Sequence, residues 1–204
     1  MRFVAARQAK IPSAFLRVSV AYLSVSPRQL RYDRIERMST ADHRREAPAS
    51  VAVHIVTVSD TRTLDTDTSG RAIADLLGGA GHVVHGRTVL KDEPADVAAK
   101  VTSLVADPAV DAVITTGGTG ITSRDSTFEA VDGLLQKRLV GFGELFRMLS
   151  YQEIGAAAML SRATAGLAGR TIVIALPGSE HAVRLGMEKL VLPELAHLVR
   201  EARR

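Results

Sequence analysis

Thr115 to Gly120 reads TTGGTG directly after the apolar run AVI. Glycines among hydroxyl residues let backbone amides approach an anion without side-chain obstruction, so the segment suits a phosphate. The residues that would meet it are Thr116, Gly117, Gly118, Thr119 and Gly120. The loop is neither Gly-x-Gly-x-x-Gly nor a Walker loop, since no Lys-Ser or Lys-Thr follows Gly120, which removes the usual dinucleotide and P-loop readings. The plainer alternative is a tight turn that only packs a strand against a helix.

Asp125 lies just beyond the loop, beside Ser126 and Thr127, with Glu129 three residues after Ser126. A carboxylate next to bound phosphate repels it. Asp125 therefore belongs either to the helix cap that Ser126, Thr127 and Glu129 would form, or to a site where a cation such as Mg²⁺ bridges carboxylate and phosphate. Asp92 in LKDEPAD falls at the end of another apolar run, where a neighbouring loop could bring it to Asp125 and complete a two-carboxylate magnesium site. Its alternative is the N-cap of a helix that has Pro94 in its first turn.

Two more loops carry polar groups. Ser59 precedes DTRTLDTDTSG, which opens with Asp60, continues to Asp67, Thr68 and Ser69 and offers carboxylates and hydroxyls to a polar heterocycle, although Asp67 or Thr68 would also cap the helix after it. Pro177, Gly178 and Ser179 form a third glycine-containing turn, and Ser179 could cap a helix or meet an anion at its N-terminus. The six histidines show no metal-ligand spacing, and His82 and His85 should face opposite sides of a strand. No Gly-x-Ser-x-Gly elbow is present.

These residues need elements to hold them. VAVHIVTV from Val51 and RTIVIALPGS from Arg170 are continuous apolar runs typical of strands covered on both faces, and DAVITT from Asp111 is a third. HVVHGRTVL from His82 is a further strand. Helices are expected over Arg71 to Leu77, ending at Gly78, Gly79 and Gly81, over 93–106, over STFEAVDGLLQKR at 126–138, and over 141–155 with Phe142, Leu145, Phe146 and Leu149 in register. A closing helix over 181–203 should be interrupted at Pro193. Strand and helix alternate, which predicts an α/β three-layer sandwich with a mainly parallel central sheet and right-handed crossovers. Ligands bind such sheets beyond the carboxyl ends of the strands, where the loops above fall.

The chain has 204 residues, 46% hydrophobic and 24% charged, enough apolar material for one stable domain over residues 49–204. Without cysteine there is no disulfide or thiolate site, which fits a reducing cytoplasm. No apolar stretch approaches the roughly 20 residues that span a bilayer. Residues 1–37 carry eight Arg or Lys against Asp33 and Glu36, leaving the rest at −2 of the chain's net +4. The body therefore lacks the basic stripe of a nucleic-acid binder. Residues 1–48 read as a basic extension, disordered or lying upstream of a start at Met38.

Together, TVSDTR, DTDTSG, DAVITTGGTGITSRD, GFGELFRMLSYQEIG, AMLSRATAG and IALPGS resemble the MoaB/MogA family of molybdenum cofactor biosynthesis proteins, and FRMLSYQEIG with LSRA leans towards MoaB. The resemblance spans about Val51 to Leu198. It implies a molybdopterin-binding fold that assembles as a homotrimer or homohexamer, works with other proteins of the pathway, and takes a pterin and a nucleotide as small-molecule partners. In active members the reaction is adenylylation of molybdopterin by Mg-ATP, which assigns Asp92 and Asp125 to catalysis and to Mg²⁺, and the amides of Gly117, Gly118 and Gly120 to phosphate. Thr127-Phe128 stands where family members often have Thr-Pro, while Asp92, lost in some inactive members, is kept. The rival readings are a pterin-binding protein without transfer activity and, more weakly, an oligomeric scaffold.

Overall fold

The computed structural model describes residues 46–204 apart from Arg124. The expectation for the basic extension thus lies, for residues 1–45, outside the described residues. Six strands form one sheet: β1 Ala52–Val58, β2 Val83–Leu90, β3 Ala112–Thr116, β4 Lys137–Arg138, β5 Thr164–Ala168 and β6 Thr171–Leu176, in the order β2-β1-β3-β6-β5-β4. The first four in that order are parallel; β5 pairs antiparallel with β6, and β4 with β5. Residues from Val53 to Val58 and all of β3 and β6 are buried, as their β-branched runs require of strands covered twice.

Helices cover both faces. On one, α1 (Thr68–Gly79), α4 (Val140–Ile154), α5 (Glu180–Gly186) and α6 (Leu192–Ala202) pack Ile73, Phe146, Val183 and Leu195 against Val53, Ile55, Ile114 and Ile174. On the other, α2 (Pro94–Val105) and the short α3 (Thr127–Asp132) pack Val97, Val101 and Val131 against Val56, Val113 and Val173. The alternation of inward-facing positions along each strand divides the core into these two clusters. The expected three-layer α/β sandwich with a mainly parallel sheet is what forms.

Several boundaries differ from the sequence reading. The helix expected over 126–138 stops at Asp132, because Gly133 ends it and the chain turns into β4. β5, TAGLA, was not anticipated. On α4 only Phe146 of the expected apolar face is fully buried; Leu145, Met148, Tyr151 and Ile154 are about half exposed or more. The closing helix is broken, but just ahead of Pro193: Met187–Val191 forms a π turn in which the Leu192 N–H reaches back to Met187 O. Pro193 lacks an N–H and its ring crowds the carbonyl four residues earlier, so the helix widens in the preceding turn.

Candidate functional site

The carboxyl ends of β1, β3 and β6 face one another across the point where the chain turns from β1 to β2 on one side and to β3 on the other. That is where parallel sheets open a crevice. An open pocket of about 280 Å³ lies there, lined by Thr57 and Val58 at the end of β1 with Ser59, Thr61 and Arg62 after it, by Thr116 at the end of β3 with Gly117 and Gly118 after it, and by Gly178 after β6.

Close backbone approach builds it. Gly117 has φ +98°, and a β-carbon there would stand 2.1 Å from Val58 O; one on Gly178 would meet Gly117 Cα at 3.1 Å. Thr116 Oγ1 donates to Pro177 O (2.8 Å), and Ser69 Oγ donates to Gly178 O (2.7 Å). Ser59 Oγ accepts the amides of Thr61 and Arg62 at 3.3 and 3.2 Å, turning the β1 loop back over the pocket. Ser179 caps α5 through the Ala182 N–H, and Thr68 opens α1 with an exposed side chain; neither lines the pocket.

Asp67 settles as a cap. Its Oδ1 accepts from Gly70 N (2.8 Å), its Oδ2 from Thr57 Oγ1 (2.8 Å) and Arg87 Nη2 (2.8 Å), and the residue is 1% exposed. Both oxygens are committed inside the fold, and Asp67 does not line the pocket. Burial alone would raise its pKa, but the bonds from Gly70, Arg87 and Thr57 outweigh burial and hold the carboxyl below its usual value of 3.8. A folded-state pKa below the unfolded one contributes stability above pH 3.8 that disappears as pH falls through the lower folded value. Asp67→Asn should therefore lose about 3 kcal/mol at pH 7, since it strands the half-buried Arg87. In urea melts that deficit should shrink on acidification below pH 3.8; a constant deficit would show that the charge is not the cause.

Asp92 is buried, and Glu93 rather than Asp92 occupies the N-cap of α2. The carboxylate turns instead to the glycine loop: Oδ1 accepts from Ser126 Oγ (3.1 Å) and Thr127 Oγ1 (3.3 Å), while a β-carbon on Gly118 would stand 2.3 Å from Oδ2. Its amide donates to Asp60 Oδ1 (3.3 Å). The capping box expected at Ser126 is thereby displaced, since the Ser126 hydroxyl serves Asp92 and makes no cap bond.

Asp125 closes its own turn. Its Oδ2 accepts from Thr122 Oγ1 (2.6 Å) and Thr122 N (3.0 Å), and a β-carbon on Gly120 would stand 2.5 Å from the same oxygen. These bonds, led by the Thr122 hydroxyl, hold its pKa below the usual carboxylate value, with Arg162 adding to the effect. One of the three amides expected to cradle phosphate, that of Gly117, is spent within the protein on Leu176 O (3.2 Å). Among the described residues no three His, Cys, Asp or Glu gather to hold a metal. Magnesium shared with substrate phosphates uses one or two carboxylates.

Arg162 escaped the sequence reading as a site residue, although it lies in the LSRA segment. Its Nε donates to Thr119 O (2.8 Å), Nη2 donates to Gly120 O, Nη1 pairs with Glu129, and the guanidinium lies 4.8 Å from the Phe128 ring centre. One planar fork thereby ties the second half of the loop to α3, which a lysine point charge cannot reproduce. Arg162→Lys and Arg162→Ala should each speed amide hydrogen exchange across 119–123 about tenfold or more, equivalent to about 1.4 kcal/mol of local stability. Equal protection in wild type and variants would remove the clamp. His54 and His85 also meet, Nδ1 to Nδ1 at 3.2 Å, where the β1–β2 register shifts between Val53 and His54.

Residues 54–197 match the family described as "Probable molybdopterin binding domain". The molybdenum cofactor biosynthesis protein B of Bacillus anthracis is 51% identical over 168 residues, covering 82% of this chain and 99% of the relative. A crystal structure of a molybdenum cofactor biosynthesis protein B superposes with a TM-score of 0.75 at 52% identity, over 78% of this chain and 99% of that one. The tungsten cofactor synthesizing protein MoaB of Pyrococcus furiosus gives 0.69 at 37% identity, over 78% and 100%.

Proposed function

We propose, because this chain belongs to the molybdopterin-binding family of molybdenum cofactor biosynthesis proteins, that its crevice binds molybdopterin and transfers the adenylyl group of Mg-ATP to it. The observation that carries this reading is the placement of a buried carboxylate, Asp92, directly against Gly118 of a phosphate-sized glycine loop. In the transfer, an oxygen of the pterin's phosphate forms a bond to the α-phosphorus of ATP while the bond to the β-phosphate oxygen breaks, giving adenylylated molybdopterin and pyrophosphate.

Positioning and charge neutralisation dominate such chemistry. Asp92, and Asp125 if its turn opens, would hold Mg²⁺, which supplies neutralisation of phosphate charge. The Gly117–Gly118 backbone sets how closely the phosphates approach, and the hydroxyls of Ser59, Thr61 and Thr116 are the polar groups beside the pterin. The half-exposed apolar residues Leu145, Met148, Tyr151 and Ile154 on α4, followed by Met159 and Leu160, support association of copies as a trimer or hexamer. No helix among the described residues is long and apolar enough to cross a membrane, and the cytoplasm is the compartment we assign.

Incubating the full chain with molybdopterin and Mg-ATP should give adenylylated pterin and stoichiometric pyrophosphate. Pterin binding with neither product would favour the second reading, binding without transfer. That reading draws on Asp125, whose carboxylate is committed to Thr122.

A further inference from the structure

We propose that Arg62 supplies the positive charge of a phosphate subsite in the β1–β3 crevice. The proposal deepens the pterin and nucleotide reading above and rests on it for the identity of the phosphate's owner, though not for the existence of the subsite.

Nine residues line the crevice pocket, and Arg62 is the sole charged one among them. The others bring the hydroxyls of Ser59 and Thr61 and glycine backbone, while the Thr57 and Thr116 hydroxyls donate within the fold to Asp67 and Pro177 O. A pocket with one cation, no lining carboxylate and hydroxyl donors at Ser59 and Thr61 suits an anion. The glycine loop alone cannot fill this role, since the Gly117 amide is bonded to Leu176 O and Gly120 does not line the pocket.

The environment keeps the charge of Arg62 available. Asp67 forms a long ion pair with Arg62, Nη1 to Oδ1 at 3.9 Å and beyond hydrogen-bonding reach, but its carboxylate is already engaged by Arg87 at 2.8 Å and bonded by Thr57 and Gly70. Nη1 donates instead to Ser69 Oγ (2.8 Å), a residue with no exposed surface that itself holds Gly178 O. Ser69 thus fixes the guanidinium without cancelling its charge, and does so through the same hydroxyl that fixes the β6 loop. One edge of the fork is anchored and the side chain remains about one-third exposed. That is the arrangement for bidentate recognition of phosphate.

The pocket's size agrees. At about 280 Å³ it falls just under the ~300–1,000 Å³ of cavities that enclose a whole drug-sized ligand, so it accepts one end of a larger molecule. Gly118 belongs both to this pocket and to the contact with Asp92, which places the Arg62 subsite and the carboxylate on neighbouring parts of one loop. A ligand with phosphates would then meet a cation and a carboxylate-held metal in succession.

The test is calorimetric titration of the full chain with inorganic pyrophosphate, using wild type, Arg62→Gln and Arg62→Lys, with thermal melts to verify folding. Wild type should bind; Gln should weaken binding about tenfold or more, the worth of a charge-assisted contact, and Lys should fall between, keeping the charge without the fork. Wild type without affinity for pyrophosphate, or a folded Arg62→Gln with unchanged affinity, overturns the proposal. Parallel titrations with ATP and with molybdopterin assign the phosphate: the ligand whose affinity falls with Gln owns it, and no fall for either overturns the subsite's role. Wild-type transfer activity that survives in Arg62→Gln with both affinities intact sinks Arg62 alone. Pyrophosphate binding that depends on Arg62 in a protein with no transfer activity sinks the transferase reading alone.

Discussion

Asp92→Asn should cut pyrophosphate release from molybdopterin and Mg-ATP by about 100-fold or more while leaving the melting temperature close to that of wild type. The separation follows from what each oxygen does. Oδ1 accepts from the hydroxyls of Ser126 and Thr127, and an amide oxygen in that place accepts the same bonds. The negative charge is needed only if a cation must sit beside the loop, and asparagine removes it without changing the shape. Asp92→Ala is the informative companion. It also abandons the Thr127 hydroxyl in a residue with no exposed surface, and should cost about 1–3 kcal/mol of stability on top of the activity. Should Asp92→Asn turn over at the wild-type rate, no magnesium is held there and the loop's carboxylate neighbour is structural.

The same contrast shows what sequence could and could not disclose. Continuous β-branched runs marked β1, β3 and β6, because burial on both faces leaves no polar alternation to obscure them. Their carboxyl ends then located the loops. β5 was hidden because TAGLA is short and built of small residues, chosen to lie between β6 and β4: a β-carbon on Gly166 would stand 2.3 Å from Lys137 O. Hydrogen-bond allegiance was equally invisible. That the Ser126 hydroxyl serves Asp92 rather than its own helix depends on where loops distant in sequence meet. Asp67 was legible as a cap yet also looked like a ligand, since its claim by Arg87 comes from β2, twenty residues away. Arg62 and Arg162 stood inside recognised segments and were passed over because arginine on a loop reads as solvated until its partners are known.

Two adjacent glycines should fail differently when given a methyl group, and the difference separates fold from site. Gly117→Ala puts a β-carbon 2.1 Å from Val58 O at φ +98°, against backbone of the central strand β1. Backbone there is held by pairing with β2 at Val58↔Leu90 and, one residue earlier, with β3 at Thr57↔Thr116, which leaves it little room to move. Strain at positive φ and overpacking each cost about 1–3 kcal/mol, so the variant should lose about 4 kcal/mol in urea melts and with it any ligand binding. Gly118→Ala, at φ +61°, meets Thr127 Oγ1 at 2.2 Å and Asp92 Oδ2 at 2.3 Å, both side-chain atoms that can swing aside. Its stability loss should be smaller, nearer 2 kcal/mol. Relief, however, comes by rotating Asp92 out of the loop. Gly118→Ala should therefore resemble Asp92→Asn in turnover while keeping a cooperative melt, and Gly117→Ala should not. If Gly118→Ala retains wild-type turnover, the carboxylate tolerates displacement and the close fit of Asp92 to the loop has no part in the chemistry.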